Sequence, residues 1–226
     1  MAQIFASKLI RFYHALEPPP RLPKRVQVLL PQQKKEVRAA ISLFFQKYYN
    51  DNNPRHLLFG INPGRFGAGI TGINFTAPRQ LKVNCGIGHP FGDSSELSAE
   101  FIYEVIEAYG GPAKFYNDYF ISAVSPIGYI REGINLNYYD DKELQEIITP
   151  FIIANIKKQL SFRFKTDRCI CVGGEKNFRF FGKLNKEHGF FQTIIPLPHP
   201  RFILQYRRKQ KSAYIRQYLD ALHGKV

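Results

Sequence analysis

Two polar residues, each set among glycines or prolines, are of the types that bond cleavage requires. Asn62 follows a short apolar run and precedes Pro63, while His199 stands between Pro198 and Pro200. An amide can orient a water molecule without taking a full charge, and an imidazole can donate a hydrogen bond to a developing anion. The pair therefore suits a reaction whose leaving group becomes an anion. A nucleobase that leaves its sugar when water attacks C1′ is such a group.

Each of these residues also has a purely structural interpretation. Asn62 alone is better explained as an Asx-turn residue that bonds its local backbone, and His199 alone as part of a stiff loop. The functional interpretation is favoured because both residues follow predicted strands, which we expect to be adjacent, and both lie in stretches without acidic residues. On this interpretation, Phe75 would stack on an extruded base.

The stretch 56–75 is the element around which the rest of the chain is arranged. Its apolar residues 57–59 end at the first of five glycines, Gly60, Gly64, Gly67, Gly69 and Gly72. This pattern predicts a buried strand that opens into a loop, where glycine allows close approach of a ligand. The segment 67–72 formally matches GxGxxG. A dinucleotide site is rejected for two reasons. Residues 73–78 are unsuited to begin a helix, and no acid lies near the required offset, since the next acid after this segment is Asp93.

Alternating apolar runs and helical patterns indicate the fold class. Strands are predicted at 57–59, 119–124, 169–172 and 192–195, and helices at 4–16, 34–49, 98–109, 140–148, 149–160 and 209–222. This alternation predicts a three-layer α/β/α sandwich with a central, mainly parallel four-stranded sheet. The 226 residues are expected to form one domain, 1–226, on which residues 1–50 pack as a helical segment. Ligands of such sheets bind beyond the C-terminal strand ends.

Several segments are predicted to be irregular or to begin helices at particular residues. Residues 18–20 are consecutive prolines and indicate an extended connector, and residues 76–96 and the Asn- and Tyr-rich stretch after Pro126 are expected to be loops. Asp140 with Glu143 resembles a capping box, and Pro150 is expected to begin a separate helix.

The charge of the chain points to a polyanionic partner. The formal net charge is +14, and no Asp or Glu occurs between Asp51 and Asp93 or between Glu187 and Asp220. These two windows contain the motifs around Asn62 and His199, so positive charge and candidate chemistry coincide. Such a balance is unusual for a metabolic enzyme and favours nucleic acid. A basic surface that only aids solubility is the alternative.

Cysteine usage and hydropathy suggest a reducing, cytosolic setting. Cys85, Cys169 and Cys171 do not make a disulfide framework or a four-thiolate cluster, and the last two are expected to be buried in a strand. No apolar run approaches the roughly 20 residues of a membrane span. Lys8 and Arg11 interrupt the only apolar stretch near the N-terminus, so no signal peptide is expected.

The motifs together resemble a known family. Residues 60–75, Gly-Ile-Asn-Pro-Gly-Arg-Phe-Gly-Ala-Gly-Ile-Thr-Gly-Ile-Asn-Phe, are similar without a gap to the first motif of the single-strand-selective monofunctional uracil-DNA glycosylases, the SMUG family. The resemblance continues through 95–98, 115–127, 172–173 and 199–200. It spans roughly residues 55–205 and leaves the N-terminal fifty residues largely uncovered.

The resemblance implies a uracil-DNA glycosylase fold and a monofunctional hydrolysis of the N-glycosidic bond in DNA with deaminated bases, without metal or cofactor, by a monomer. It assigns the water-positioning role to Asn62, stabilisation of the departing base to His199, and base stacking to Phe75. The other candidate base-binding residues are Ile61 and Gly64 on the same loop, and Ser122, Ala123 and Ser125 at the end of the second predicted strand. The candidate DNA-binding residues are Arg65, Arg201, Arg207, Arg208 and Lys209.

Two departures from the family pattern bear on specificity. The family has an Asn that reads the Watson–Crick edge of uracil, and the ungapped match puts Ala123 there, which cannot make amide hydrogen bonds. A roomier pocket that also admits hypoxanthine or xanthine is therefore a hypothesis. The segment after His199 is shortened, with Arg201 directly after Pro200. Two other functions stay open: a non-catalytic nucleic-acid-binding module on the same fold, and a small-molecule nucleotide hydrolase, which the lack of strand-end carboxylates disfavours.

Overall fold

Four parallel strands form the centre of the protein. The computed structural model describes residues 4–225. The central strands are β2 (His56–Gly60), β3 (Tyr119–Ala123), β6 (Arg168–Val172) and β7 (Thr193–Leu197), in the order β3-β2-β6-β7. All three pairings are parallel. A second, antiparallel sheet consists of β1 (Val26–Leu29), β4 (Gly128–Arg131) and β5 (Ile134–Leu136), in the order β1-β4-β5.

Ten α-helices occur in the described part of the chain. They are α1 (Phe5–His14), α2 (Lys35–Tyr48), α3 (Ala68–Thr71), α4 (Pro78–Val83), α5 (Leu97–Tyr109), α6 (Gly111–Asp118), α7 (Lys142–Leu160), α8 (Gly174–His188), α9 (Pro200–Tyr206) and α10 (Lys211–Leu222). Short 3₁₀ turns precede α2 at Pro31–Gln33 and α10 at Arg208–Gln210.

Helices cover both faces of the central sheet, because side chains alternate along its strands. Phe120 projects to one face, where its ring contacts the ring of Phe45 from α2 at 5.9 Å. Tyr119, one residue earlier, projects to the other face and contacts Tyr109 of α5 at 5.9 Å. Buried apolar residues from both faces form one continuous core. The predicted three-layer α/β/α arrangement with a parallel four-stranded sheet is confirmed.

The cysteine prediction is also confirmed: Cys85, Cys169 and Cys171 are free thiols and are buried. Burial raises the pKa of the Cys171 thiol to about 12. It therefore stays protonated near neutral pH and behaves as a small apolar side chain.

The prediction that Pro150 begins a new helix is wrong, because α7 continues through it. Proline at that position has no N–H for the carbonyl of Glu146, but both residues are exposed, so water can satisfy this carbonyl. The predicted capping residue is also off by one. Asp141 caps α7, and its Oδ1 accepts from the N–H of Leu144 at 2.8 Å.

The loops predicted at 76–96 and after Pro126 contain regular elements, namely α4, β4 and β5. Also unpredicted were β1, α6 and α9. These elements are three to eight residues long, too short for hydrophobic periodicity to identify them. The 15-residue helix α8 was given no predicted range either, although the alternation of strands and helices called for a helix between β6 and β7. The segment 67–72 does contain the four-residue α3, but this helix ends at Gly72 instead of beginning there. The rejection of a dinucleotide loop, which needs a helix to begin at that glycine, is consistent with this geometry.

Candidate active site

An open cavity of about 410 Å³ lies at the C-terminal ends of the central strands. Its floor includes Gly60 at the end of β2, Ala123 at the end of β3 and Gly173 after β6. Asn62, Phe75 and His199 line the same cavity. This is the position at which parallel sheets bind ligands, and the volume is typical of a small-molecule site.

The side-chain amide of Asn62 has a fixed orientation. Its Oδ1 accepts from the backbone N–H of Tyr138 at 3.1 Å, and its Nδ2 donates to the carbonyl of Leu136 at 3.3 Å. These two bonds settle which end of the amide is oxygen. One lone pair of Oδ1 is left, which can accept a hydrogen bond from a water molecule in the cavity. The Asx-turn interpretation is weaker, because the nearest local bond, to the carbonyl of Pro63, is 3.4 Å long.

The imidazole of His199 is also set by a backbone bond. Its Nδ1 accepts from the N–H of Arg201 at 3.1 Å, as the residue caps the N-terminus of α9. Burial and, secondarily, the positive charge of Arg201 lower the pKa of His199 to about 4. The ring is therefore neutral at pH 7, and because Nδ1 is an acceptor, the proton is on Nε2. Nε2–H is a donor that carries no net charge.

Phe75 lies beside this histidine in an unusual backbone conformation. Its φ is 52°, in the left-handed region that a phenylalanine enters at a cost of about 1–2 kcal/mol. The ring centroid is 6.3 Å from that of His199. A Cβ on Gly60 would come within 2.8 Å of the Phe75 ring. Glycine at position 60 thus allows the ring to lie across the end of β2 and form a wall of the cavity.

The prediction that Asn62 and His199 lie on adjacent strand ends is wrong. They follow β2 and β7, and β6 separates these strands in the sheet. Both nevertheless line the cavity, because β6 is followed by Gly173, which has no side chain to divide the cavity. A Cβ at Gly173 would come within 2.7 Å of Ile61 and of Asn177.

Three candidate base-binding residues, Ser122, Ala123 and Ser125, lie at or just after the end of β3. Of these three, only Ala123 lines the cavity. Ser122 is one residue earlier in β3, so its side chain points to the opposite face, where its hydroxyl donates to Gln159 Oε1 at 2.6 Å. The Ser125 hydroxyl bonds Ile127 O at 3.0 Å and the Tyr129 hydroxyl at 2.9 Å. Both serines are fully buried away from the cavity, so the expectation that they contact a base is corrected.

The two remaining loop candidates contribute to the cavity wall. Ile61 and Gly64 both line it. The carbonyl of Ile61 accepts from the N–H of Ser125 at 3.0 Å, which joins the ends of β2 and β3. The carbonyl of Gly64 accepts from Gly69 at 2.7 Å and closes the glycine-rich loop on itself.

Glu96 is a cavity residue to which sequence reasoning gave no role. It is the one acidic side chain among the described residues that line the cavity, where it packs against Gly67, and a Cβ at Gly67 would overlap its carboxyl group. Burial raises the pKa of Glu96 to about 7, and the charge of Arg201 opposes that rise. The SMUG resemblance included position 96, so the motif itself was the signal that could have identified it.

Three residues of the unpredicted β4–β5 region also line the cavity: Asn135, Asn137 and Tyr139. The Oδ1 of Asn135 accepts from the backbone N–H of Arg65 at 3.1 Å, which ties the hairpin to the glycine-rich loop. The abundance of Asn and Tyr in this stretch was visible in the sequence. Without the hairpin, nothing located these residues near Asn62.

The basic candidates divide into two positions. Arg201 lines the cavity, while Arg207, Arg208 and Lys209 are exposed between α9 and α10. Arg65 is exposed beside the glycine-rich loop, where its guanidinium donates to the carbonyl of Gly133 and lies 4.6 Å from the Phe66 ring centroid.

One basic side chain in the segments without acidic residues, that of Arg55, is not on the surface. Arg55 is completely buried, and its guanidinium forms a salt bridge with Asp51 at 2.8 Å. It also donates to the carbonyl of Tyr116 at 2.7 Å. Arg55 therefore contributes to the core and adds nothing to the field outside.

The described residues offer neither a metal site nor a membrane-spanning helix. No group of three or more His, Cys, Asp or Glu side chains within residues 4–225 could hold a metal ion. Across the same residues, no helix is both long and apolar enough to span a membrane.

Comparisons with known proteins agree with the resemblance found in the sequence. The family model of the uracil DNA glycosylase superfamily matches residues 46–223. The crystal structure of wild-type SMUG2 from Pedobacter heparinus superposes with a TM-score of 0.94 at 41% sequence identity, over 99% of this chain and 98% of that one. No curated protein matches the sequence.

Proposed function

Because the chain belongs to the uracil DNA glycosylase superfamily and has a uracil-DNA-glycosylase type of function in DNA repair, we propose that it hydrolyses the N-glycosidic bond of deaminated bases through Asn62 and His199. The observation that carries the proposal is the shared cavity of Asn62, Phe75 and His199, in which backbone N–H groups fix both polar side chains. The product is an abasic site, and the reaction uses neither metal nor cofactor.

Asn62 positions the attacking water. Its amide cannot act as a strong base, so its contribution is orientation: the free lone pair of Oδ1 accepts a hydrogen from a water aimed at C1′. The bonds from Tyr138 and to Leu136 hold the amide in place before substrate arrives. The bond to the base breaks with little need for proton removal from water, because the sugar gains oxocarbenium character first.

His199 stabilises the departing base. Negative charge grows on the base as the bond breaks, and a preset Nε2–H donor in a partly buried site interacts with it strongly. A neutral imidazole suits this role. With a pKa of about 4 the ring carries no charge at neutral pH that would have to be desolvated, and its Nε2–H still donates a hydrogen bond. Phe75 supplies the face on which the extruded base stacks.

We further propose that the pocket accepts deaminated purines, hypoxanthine or xanthine, as well as uracil. Ala123 presents only a methyl group on the cavity floor, so it neither reads the base edge nor fills the space of an asparagine. Amide side chains elsewhere on the wall, at Asn135 and Asn137, are available to contact the lactam edge that the deaminated bases share.

We propose that five basic residues contact the DNA backbone around the extruded nucleotide. They are Arg201 at the cavity, Arg65 beside the glycine-rich loop, and the exposed Arg207, Arg208 and Lys209. We also propose a monomer that acts in the cytosol, where three buried free thiols are compatible with reducing conditions.

The test is a base-release assay on matched oligonucleotides that carry uracil, hypoxanthine, xanthine or cytosine at one position, followed by alkaline cleavage of the abasic product. We expect strand scission at uracil and at one or both purines, and none at cytosine. Scission at uracil alone would refute the wider pocket and leave the glycosylase assignment intact. DNA binding without any scission would instead favour a non-catalytic nucleic-acid-binding module.

A further inference from the structure

We propose that Tyr138 and Asn177 are positioning residues that hold the Asn62 amide in its reactive orientation from outside the cavity. This inference rests on the proposed function, because it assumes that Asn62 directs the water. Neither side chain lines the cavity.

Tyr138 contacts Asn62 through its backbone and is anchored through its side chain. Its N–H donates to Asn62 Oδ1 at 3.1 Å, and its own hydroxyl donates to Asn177 Oδ1 at 2.6 Å. The ring is completely buried and packs against Phe180 of α8 at 4.9 Å between centroids. A shift of this ring would therefore move the N–H that orients the catalytic amide.

Asn177 connects this anchor to the central sheet. It is completely buried on α8, and its Nδ2 donates to Cys171 Sγ of β6 at 3.2 Å. Both ends of its amide are thus used, so the side chain cannot rotate without loss of a buried hydrogen bond. The chain of contacts runs from β6 through α8 to Tyr138 and ends at Asn62.

Residues 136–138 bond the Asn62 amide, and apart from the Tyr138 side chain this segment has few contacts that fix its position. Leu136, which accepts from Asn62 Nδ2, is the last residue of the three-residue strand β5. Among the described residues 4–225, β5 pairs only with β4, at the edge of the small sheet. A short edge strand alone fixes a loop weakly, so the side-chain anchor of Tyr138 is what limits movement after Leu136.

Burial keeps the Tyr138 hydroxyl in its donor form, since it raises the pKa of this phenol well above its usual value. The anchor is therefore present throughout the pH range of an assay. Its effect is geometric and does not depend on titration.

The experiment compares Tyr138→Phe with Tyr49→Phe. Tyr49 is also buried, and its hydroxyl donates to the carbonyl of Tyr119, at the end of β3 opposite to the cavity. Both substitutions remove one hydroxyl and one buried hydrogen bond, so both lower thermal stability. Only the first removes the anchor of Asn62. Asn177→Ala removes the acceptor of the same hydrogen bond from the Tyr138 hydroxyl. This variant replaces Tyr138→Phe in the comparison if Tyr138→Phe folds poorly.

Two readouts are taken from each variant: the single-turnover rate of uracil release at saturating enzyme, and the side-chain amide NMR signal of Asn62, assigned by its loss in Asn62→Ala. For Tyr138→Phe we expect a rate roughly tenfold lower, a half-saturating enzyme concentration within about twofold of the parent, and a shifted or broadened amide signal. Tyr49→Phe should leave all three unchanged.

A parental rate in Tyr138→Phe, an equal loss in Tyr49→Phe, or an unmoved Asn62 signal would each overturn the proposal. The NMR readout separates this failure from failure of the proposed function. If the parent releases no base, the assigned chemistry is wrong, yet the amide signal still reports whether Tyr138 positions Asn62.

Discussion

Replacement of Glu96 by glutamine is expected to remove a pH dependence from base release. Glu96 shares the cavity with His199 and Arg201, and with the phenols of Tyr139 and Tyr206. Burial raises the pKa of Glu96 to about 7. Its carboxyl group is mostly neutral below that pH and ionised above it. Because His199 has a pKa of about 4, it stays neutral through this range, so Glu96 is the group that changes charge.

The magnitude follows from Coulomb's law. Two negative charges about 8 Å apart across the cavity, at an effective dielectric constant near 20, repel by about 2 kcal/mol. The ionised carboxylate thus opposes the anion that grows on the departing base and slows the reaction roughly thirtyfold, since 1.4 kcal/mol corresponds to about a factor of ten. The carboxyl group is about 90% neutral at pH 6 and about 10% neutral at pH 8. Hence the expected fall in rate between these values is about eightfold.

The assay is single-turnover uracil release at saturating enzyme from pH 5.5 to 8.5. The parent should lose activity as pH rises through about 7, and Glu96→Gln should show a flat profile close to the parent's acidic plateau. Glu100→Gln is the matched control and should keep the parental profile. Glu100 lies in the first turn of α5, the helix that Glu96 directly precedes, and it does not line the cavity. A rate that rises with pH in the parent, or a fall that persists in Glu96→Gln, would refute this reasoning.

Three further substitutions test other parts of the account. In Gly60→Ala, a Cβ within 2.8 Å of the Phe75 ring should displace the stacking face and lower single-turnover release at least roughly tenfold; parental activity would show that the ring position is unimportant. Asp141→Ala removes the cap of α7 and the contact of Asp141 with Arg131. Urea denaturation should show that the free energy of unfolding falls by about 1–2 kcal/mol; an unchanged value would show that the cap is dispensable. Alanine at Arg207, Arg208 and Lys209 together should reduce the slope of log K against log salt by roughly two to three; an unchanged slope would place the DNA elsewhere.

The central sheet could be predicted because its strands are long apolar runs that end in glycine or proline. The predicted range 169–172 differs from β6 by one residue, and the long helices α2 and α5 were located within a residue or two at most of their ends. The strand β6 is buried on both faces and is therefore recognised as a continuous apolar run, whereas the buried residues of α2 and α5 recur with the period of a helix.

The β4–β5 hairpin could not be predicted, and with it the environment of Asn62 was missed. The three residues of β5 include two that are exposed, so the strand has no apolar alternation. Its position is fixed by contacts distant in sequence, such as the bond from Tyr138 to Asn62 across 76 residues. Likewise, the contact of Ser122 with Gln159 could not be predicted. Alternation puts Ser122 and Ala123 on opposite faces of the strand but does not say which of them faces the cavity.

Strand order was the other missing information. Alternation of strands and helices indicates a parallel sheet but does not say which strands are neighbours, and β6 proved to separate β2 from β7. Asn62 and His199 were still correctly expected at the same edge of the sheet, since all four strands are parallel and end on the same side.

The most direct test of the central claim, that Asn62 directs the hydrolysis in this cavity, is to measure DNA affinity and base release together in Asn62→Ala. The amide makes no contact with the exposed basic residues, so affinity for a uracil-containing oligonucleotide should stay within about threefold of the parent. Release of uracil in a single turnover should fall by at least about a hundredfold. Base release at a near-parental rate by a variant that binds DNA normally would contradict the account.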